Sequence, residues 1–187
     1  MNRKALLVSV ILFTLVGAAA PFTDAFKRIK ETLTGYEEVP SISTRATGVF
    51  SGRIDNQESK LDWTLSYSDL EGAVQQSHIH FGNKGVNGGI TVFLCTNLGN
   101  GPAGTQPCPA PPATISGTIT AADISPDIPA TAAARTQGLE TGEFDEFLEA
   151  VRAGSTYVNI HSTRWPGGEV RSQISGHQGN HTGSEGH

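Results

Sequence analysis

The chain has 187 residues, of which 37% are hydrophobic and only 17% charged, with 13 Lys+Arg against 18 Asp+Glu and a net charge of −5. No cluster of basic residues of the kind that grips phosphates is present, so composition argues against a nucleic-acid partner. The size fits one domain with a real core.

Arg3 and Lys4 precede an uncharged apolar run, Ala5 to Gly17, and then Ala18-Ala19-Ala20. A short positive region, an apolar core and small residues in that order form a secretory signal, and the run is too short to span a bilayer, which needs ~20 residues. Residues 1–25 are therefore expected to be removed, with cleavage between 18 and 25. The mature protein is placed in the periplasm, at the cell surface or in the medium, with no membrane span. In such an oxidising compartment the chain's two cysteines, Cys95 and Cys108, are expected to pair. Closing that loop contributes ~3 kcal/mol on the chain-entropy model.

After a short lead-in at 26–34, Thr44 to Ile54 reads as a strand with Ala46, Gly48 and Phe50 on one face. Leu61, Trp63, Leu65 and Tyr67 alternate with Asp62, Thr64 and Ser66, the pattern of a half-buried strand. Residues 69–72 form a turn, Val74 to Phe81 a further strand, and 82–89 a Gly/Asn turn. Ile90 to Cys95 is continuously apolar, as a buried strand is, and Ala113 to Thr120 is β-branched and alternating. Pro126 and Pro129 leave 123–138 as a connection with little regular structure.

One helix is predicted over 141–153. Thr141 is its expected N-cap, Phe144, Phe147, Leu148 and Val151 form one apolar stripe, and Gly154 ends it. Ser155 to Ser162, a turn at 165–168 and Glu169 to Ile174 complete the domain. The fold class expected is mainly β, a Greek-key sandwich or barrel of superoxide dismutase-like or immunoglobulin-like type with that one helix. Residues 175–187 hold His177, His181 and His187 among glycines, lack any apolar anchor and read as a disordered tail. Asn180-His181-Thr182 matches a glycosylation acceptor.

The sharpest chemical feature is His78-Ile79-His80. Residues i and i+2 of a strand share a face, so two imidazoles stand ~7 Å apart at Cα and lean onto one ion. His161 is the one other histidine outside the tail. If its strand neighbours that of His78, three imidazoles converge and leave an open position, which suits copper or an open zinc site. The competing reading makes the histidines structural, in a non-catalytic extracellular module that binds protein or polysaccharide or helps assemble the envelope. Tyr36 and Trp165 are then candidate contact residues. The GxSxG, P-loop, dinucleotide and HExxH signatures are absent from the sequence.

Four ordered blocks carry a family resemblance: Leu33 to Pro40; Ser77 to Gly82 with Gly85 to Phe93; Ile115 to Ile119; and Gly154 to Ser162 running into Pro166 to Ile174. Together they resemble the CHRD domain, found in chordin and in single-domain secreted microbial proteins. The departures are Ser162 where Thr is frequent and Ser172 where Gly is frequent. The resemblance implies a CHRD-like β domain over 26–174, in an extracellular setting; chordin itself antagonises growth factors. His78-Ile79-His80-Phe81-Gly82 and Val158 to His161 are also similar to the copper-ligand strands of copper-zinc superoxide dismutases. That likeness implies copper at His78, His80 and His161, with Arg171 as an anion-guiding catalytic residue. It has no counterpart here for the histidine that bridges copper and zinc.

Overall fold

The computed structural model describes residues 27–175. The expected signal at 1–25 and the glycosylation acceptor lie outside the described residues, as does all of the expected tail at 175–187 except Ser175, whose N–H and hydroxyl donate to Glu31 Oε1.

Alternation is the organising fact of the sheet. In β3 (Leu61–Ser68) the four apolar residues are buried and Asp62 and Thr64 are exposed. β2 (Thr47–Ile54) pairs with it along its whole length, so that Phe50 lies opposite Leu65 and Gly52 opposite Trp63. Six further strands extend the sheet: β1 (Arg28–Thr34), β4 (Val74–Phe81), β5 (Gly89–Thr96), β6 (Ala113–Ile119), β7 (Thr156–Ser162) and β8 (Val170–Ile174). All eight form one antiparallel sheet in the order β5-β4-β7-β8-β1-β2-β3-β6, curled into a nearly closed barrel. The mainly β expectation therefore holds. The lead-in is the exception: Arg28–Thr34 is a full strand, with Ile29 and Leu33 buried between exposed charged and polar neighbours.

The barrel stops one pairing short of closure, between β5 and β6. Gln106 lies across this seam. Its Nε2 donates to Leu94 O on β5 (3.2 Å) and to Ser116 O on β6 (3.1 Å), while Thr96 N donates to Gln106 O at 3.0 Å. The segment is tied to β5 by the Cys95–Cys108 disulfide.

Among the described residues two α-helices accompany the barrel. α2 (Phe144–Arg152) buries Phe144, Phe147, Leu148 and Val151, the expected stripe, in the main core. It ends in a Schellman motif: Gly154, at φ 66°, donates to Val151 O, and Ser155 N to Ala150 O. Its start differs from expectation. Thr141 Oγ1 donates to Ser125 O instead of capping, and Glu143 occupies the N-cap position. The connection at 123–138 contains a short helix, α1 (Ala132–Thr136), against β5. Among the described residues no helix is long and apolar enough to cross a membrane.

β7 is buried along its whole length, on both faces. Val158 and Ile160 face the barrel interior, where Ile160 approaches Gly48 on β2, three strands away. Tyr157, Asn159 and His161 therefore face outward, and their burial comes from loops laid over the barrel wall.

Candidate metal centre

β4 and β7 are hydrogen-bonded neighbours, with His78 opposite Asn159, His80 opposite Tyr157 and Gln76 opposite His161. This is the pairing that the convergence of the three histidines required. Ile79, between the two β4 histidines, is fully buried in the core. β4 slips register against β5 between Ser77 and His78 and again between Ile79 and His80. Such bulges bend a strand and re-aim its side chains.

The three imidazoles form one buried cluster whose potential ligand atoms all lie within 4.8 Å of one another. His78 Nδ1 is 3.3 Å from His161 Nε2. Two nitrogens bound to one ion at ~2.0–2.1 Å each stand about that far apart in tetrahedral geometry.

Backbone carbonyls fix two of the rings. His80 Nδ1 lies 2.9 Å from Gly88 O, and His161 Nδ1 lies 2.9 Å from Pro166 O. A carbonyl only accepts, so both Nδ1 atoms carry the proton and donate it, and both Nε2 atoms bear lone pairs. This is the arrangement by which proteins orient histidine ligands, through an N–H to a carbonyl behind the ring. His80 Nε2 and His161 Nε2 stand 3.1 and 3.0 Å from Asn159 Oδ1. His78 Nε2 is buried without a partner, beside the edge-on ring of Phe93.

Burial keeps all three rings neutral. His80 is pushed down to about 4, chiefly by desolvation, against an ordinary value of 6.5. His161 is lowered and His78 lowered well below the same value, again mainly by desolvation. Neutral imidazole is the form that binds metal.

The outward face of the site is closed by segments distant in sequence. His80 stacks flat on Tyr157, with centroids 4.6 Å apart, and the Arg171 guanidinium lies 3.4 Å from the centre of the Tyr157 ring. Arg171, on β8 opposite Asn159, is 1% exposed and donates to Asn83 O and Val86 O. It thereby ties down the 82–88 loop whose Gly88 carbonyl holds His80. Gly88 itself crosses β4 so closely that an added Cβ would collide with the carbonyl of Phe81. Glu38 packs behind Asn159, with Oε1 3.5 Å from Nδ2, and burial pushes its carboxyl up to about 7.

The structure thus brings His78, His80 and His161 together and places Arg171 beneath Tyr157, away from solvent. Trp165 is half-buried, with its indole N–H donating to Glu71, and Tyr36 is exposed. Sequence reasoning missed Asn159, Tyr157, Glu38 and the two carbonyls. The signal for the first two was present: Tyr157, Asn159 and His161 sit at i, i+2 and i+4 of one strand.

Fold and site together define an antiparallel β-barrel domain that carries three buried histidines on its outer wall. The CHRD domain model matches residues 29–174, and the chain belongs to that family. No curated protein and no solved structure matches it.

Proposed function

We propose that the protein is an exported CHRD-domain protein that binds a single copper ion through His78 Nδ1, His80 Nε2 and His161 Nε2. One observation carries the reading: three neutral imidazoles converge, and two of them already have their Nδ1 protons committed to backbone carbonyls behind the rings. The three histidines supply nitrogen donors, and no thiolate joins them because both cysteines are tied up in the disulfide. Nitrogen sites of this kind bind copper(II) more tightly than the other divalent first-row ions, zinc included. Zinc is the alternative occupant.

Bound copper supplies one-electron redox chemistry, and dismutation of superoxide or copper handling are the activities to assay. In this reading Arg171 is a positioning residue that secures the 82–88 loop, because its guanidinium is covered by Tyr157 and does not reach solvent. The disulfide and the family both fit an extracellular setting, with residues 1–25 as the signal and 175–187 as the tail.

The burial of the rings favours a second reading, a non-catalytic extracellular module that binds protein or polysaccharide. A cluster with almost no solvent access also serves as packing. Metal analysis of protein isolated from its own compartment, with an electron paramagnetic resonance spectrum, separates the two. Stoichiometric copper with nitrogen hyperfine structure supports the site. Apoprotein that takes up no stoichiometric copper sinks it.

A further inference from the structure

The Asn159 carboxamide sits at the centre of the cluster, and its chemistry conflicts with its neighbours. His80 and His161 both donate through Nδ1 to carbonyls, so both Nε2 atoms are lone pairs. Both point at one atom of Asn159, at 3.1 and 3.0 Å. If that atom is the amide oxygen, two lone pairs meet an acceptor, and only a cation between them relieves the repulsion. If it is the amide nitrogen, its two hydrogens satisfy one imidazole each. A carboxamide rotated by 180° has the same shape, so the pocket admits both orientations.

Resting on the metal site proposed above, we infer that Asn159 is a two-position latch for it. Without an ion, its NH2 group forks between His80 Nε2 and His161 Nε2 and occupies the lone pairs the metal would use. With an ion, the amide turns, Oδ1 faces the cation, and Nδ2 faces Glu38. Glu38 fits both positions. Its Oε2 accepts from Val39 N at 3.3 Å, which leaves Oε1 facing the amide. As a carboxylic acid it donates to Oδ1, and as a carboxylate it accepts from Nδ2. His80 is the deciding ring, because its Nε2 has no other partner, whereas His161 Nε2 also has His78 Nδ1 at 3.3 Å. Metal uptake on this view requires the amide to turn as well as the ligands to bind, which makes Asn159 a positioning residue for loading.

The experiment is nitrogen-15 NMR of the wild-type chain, metal-free and after addition of zinc, which is diamagnetic. In the metal-free protein we expect His80 Nε2 to be unprotonated and to show a scalar coupling across a hydrogen bond to Asn159 Nδ2. That coupling disappears on zinc binding, and the Asn159 NH2 signals shift. A protonated His80 Nε2 in the metal-free protein overturns the latch, as does a coupling that survives zinc binding. Failure to take up zinc or copper overturns the metal site instead, and leaves the metal-free coupling to be read on its own.

Discussion

His78 Nδ1 and His161 Nε2 face each other across the β4–β7 pairing at 3.3 Å, and neither ring has solvent to turn to. In the metal-free protein the pair is one hydrogen bond, His78 Nδ1–H donating to the lone pair of His161 Nε2, and a bound cation takes the place of that proton between the two nitrogens. Replacing either histidine by Ala should therefore abolish stoichiometric copper binding, with a loss of more than about 100-fold in affinity, since removing a group that only orients a ligand already costs about 10–100-fold. Competition with a calibrated chelator measures this. Unchanged affinity in both variants would remove the metal centre.

Arg171 reaches the site through Tyr157 and through the 82–88 loop. Arg171→Met should destabilise the fold by about 2–4 kcal/mol, since it deletes hydrogen bonds from a charged donor and empties a packed position. It should also weaken metal binding about 10-fold by loosening the Gly88 carbonyl behind His80. Faster hydrogen exchange confined to residues 82–88 is the signature. A residue that merely guided anions would change salt dependence and leave exchange untouched.

Gly88→Ala places a methyl group against the Phe81 carbonyl, where neither backbone can give way cheaply. A loss of about 2 kcal/mol or more is expected in urea unfolding, within the range for overpacked sites. A wild-type midpoint would mean that the crossing is looser than described.

The metal-free protein should lose stability on mild acidification. The three histidines are lowered in the folded state and titrate near 6.5 when unfolded, so the unfolded chain binds more protons below that pH. Stability is then full above about 6.5 and falls as the pH drops towards about 4, the folded value of His80. Glu38 acts in the opposite sense. It holds its proton up to about 7 when folded and releases it near 4.5 when unfolded, so its contribution is present at low pH and is lost as the pH rises through that window. The net slope near pH 5 should favour higher pH, because three lowered imidazoles outweigh one raised carboxyl. In Glu38→Gln it should steepen by about 1 kcal/mol per pH unit. Urea titrations at several pH values test both. A slope of opposite sign would exclude neutral buried histidines.

Much of the fold was legible because the barrel's strands keep to a period of two. β3 reads off the alternation from Leu61 to Tyr67, and the histidine pair of β4 falls on one face by the same rule. β1 was hidden because only Ile29 and Leu33 mark its inner face among charged and polar residues, too few for a pattern. The cap of α2 was misplaced because the Thr141 hydroxyl had a tertiary acceptor, Ser125 O, which local sequence does not announce. The site divides in the same way. Its imidazoles are legible as residue types at a spacing. Its orienting groups are the carbonyls of Gly88 and Pro166, and every residue has a carbonyl. Glu38 meets Asn159 only through the fold, from 121 positions away.

The Gln106 bridge has a consequence for how the molecule behaves in company. β5 and β6 are the two ends of an eight-stranded sheet, and an unpaired strand end is a template for another chain to add to. One side-chain amide spans both ends, and the disulfide keeps its segment in place. The covering of these two edges is thereby linked to redox conditions. In a reducing environment the cover is held by hydrogen bonds alone, and self-association through β5 and β6 becomes the expected failure of the chain.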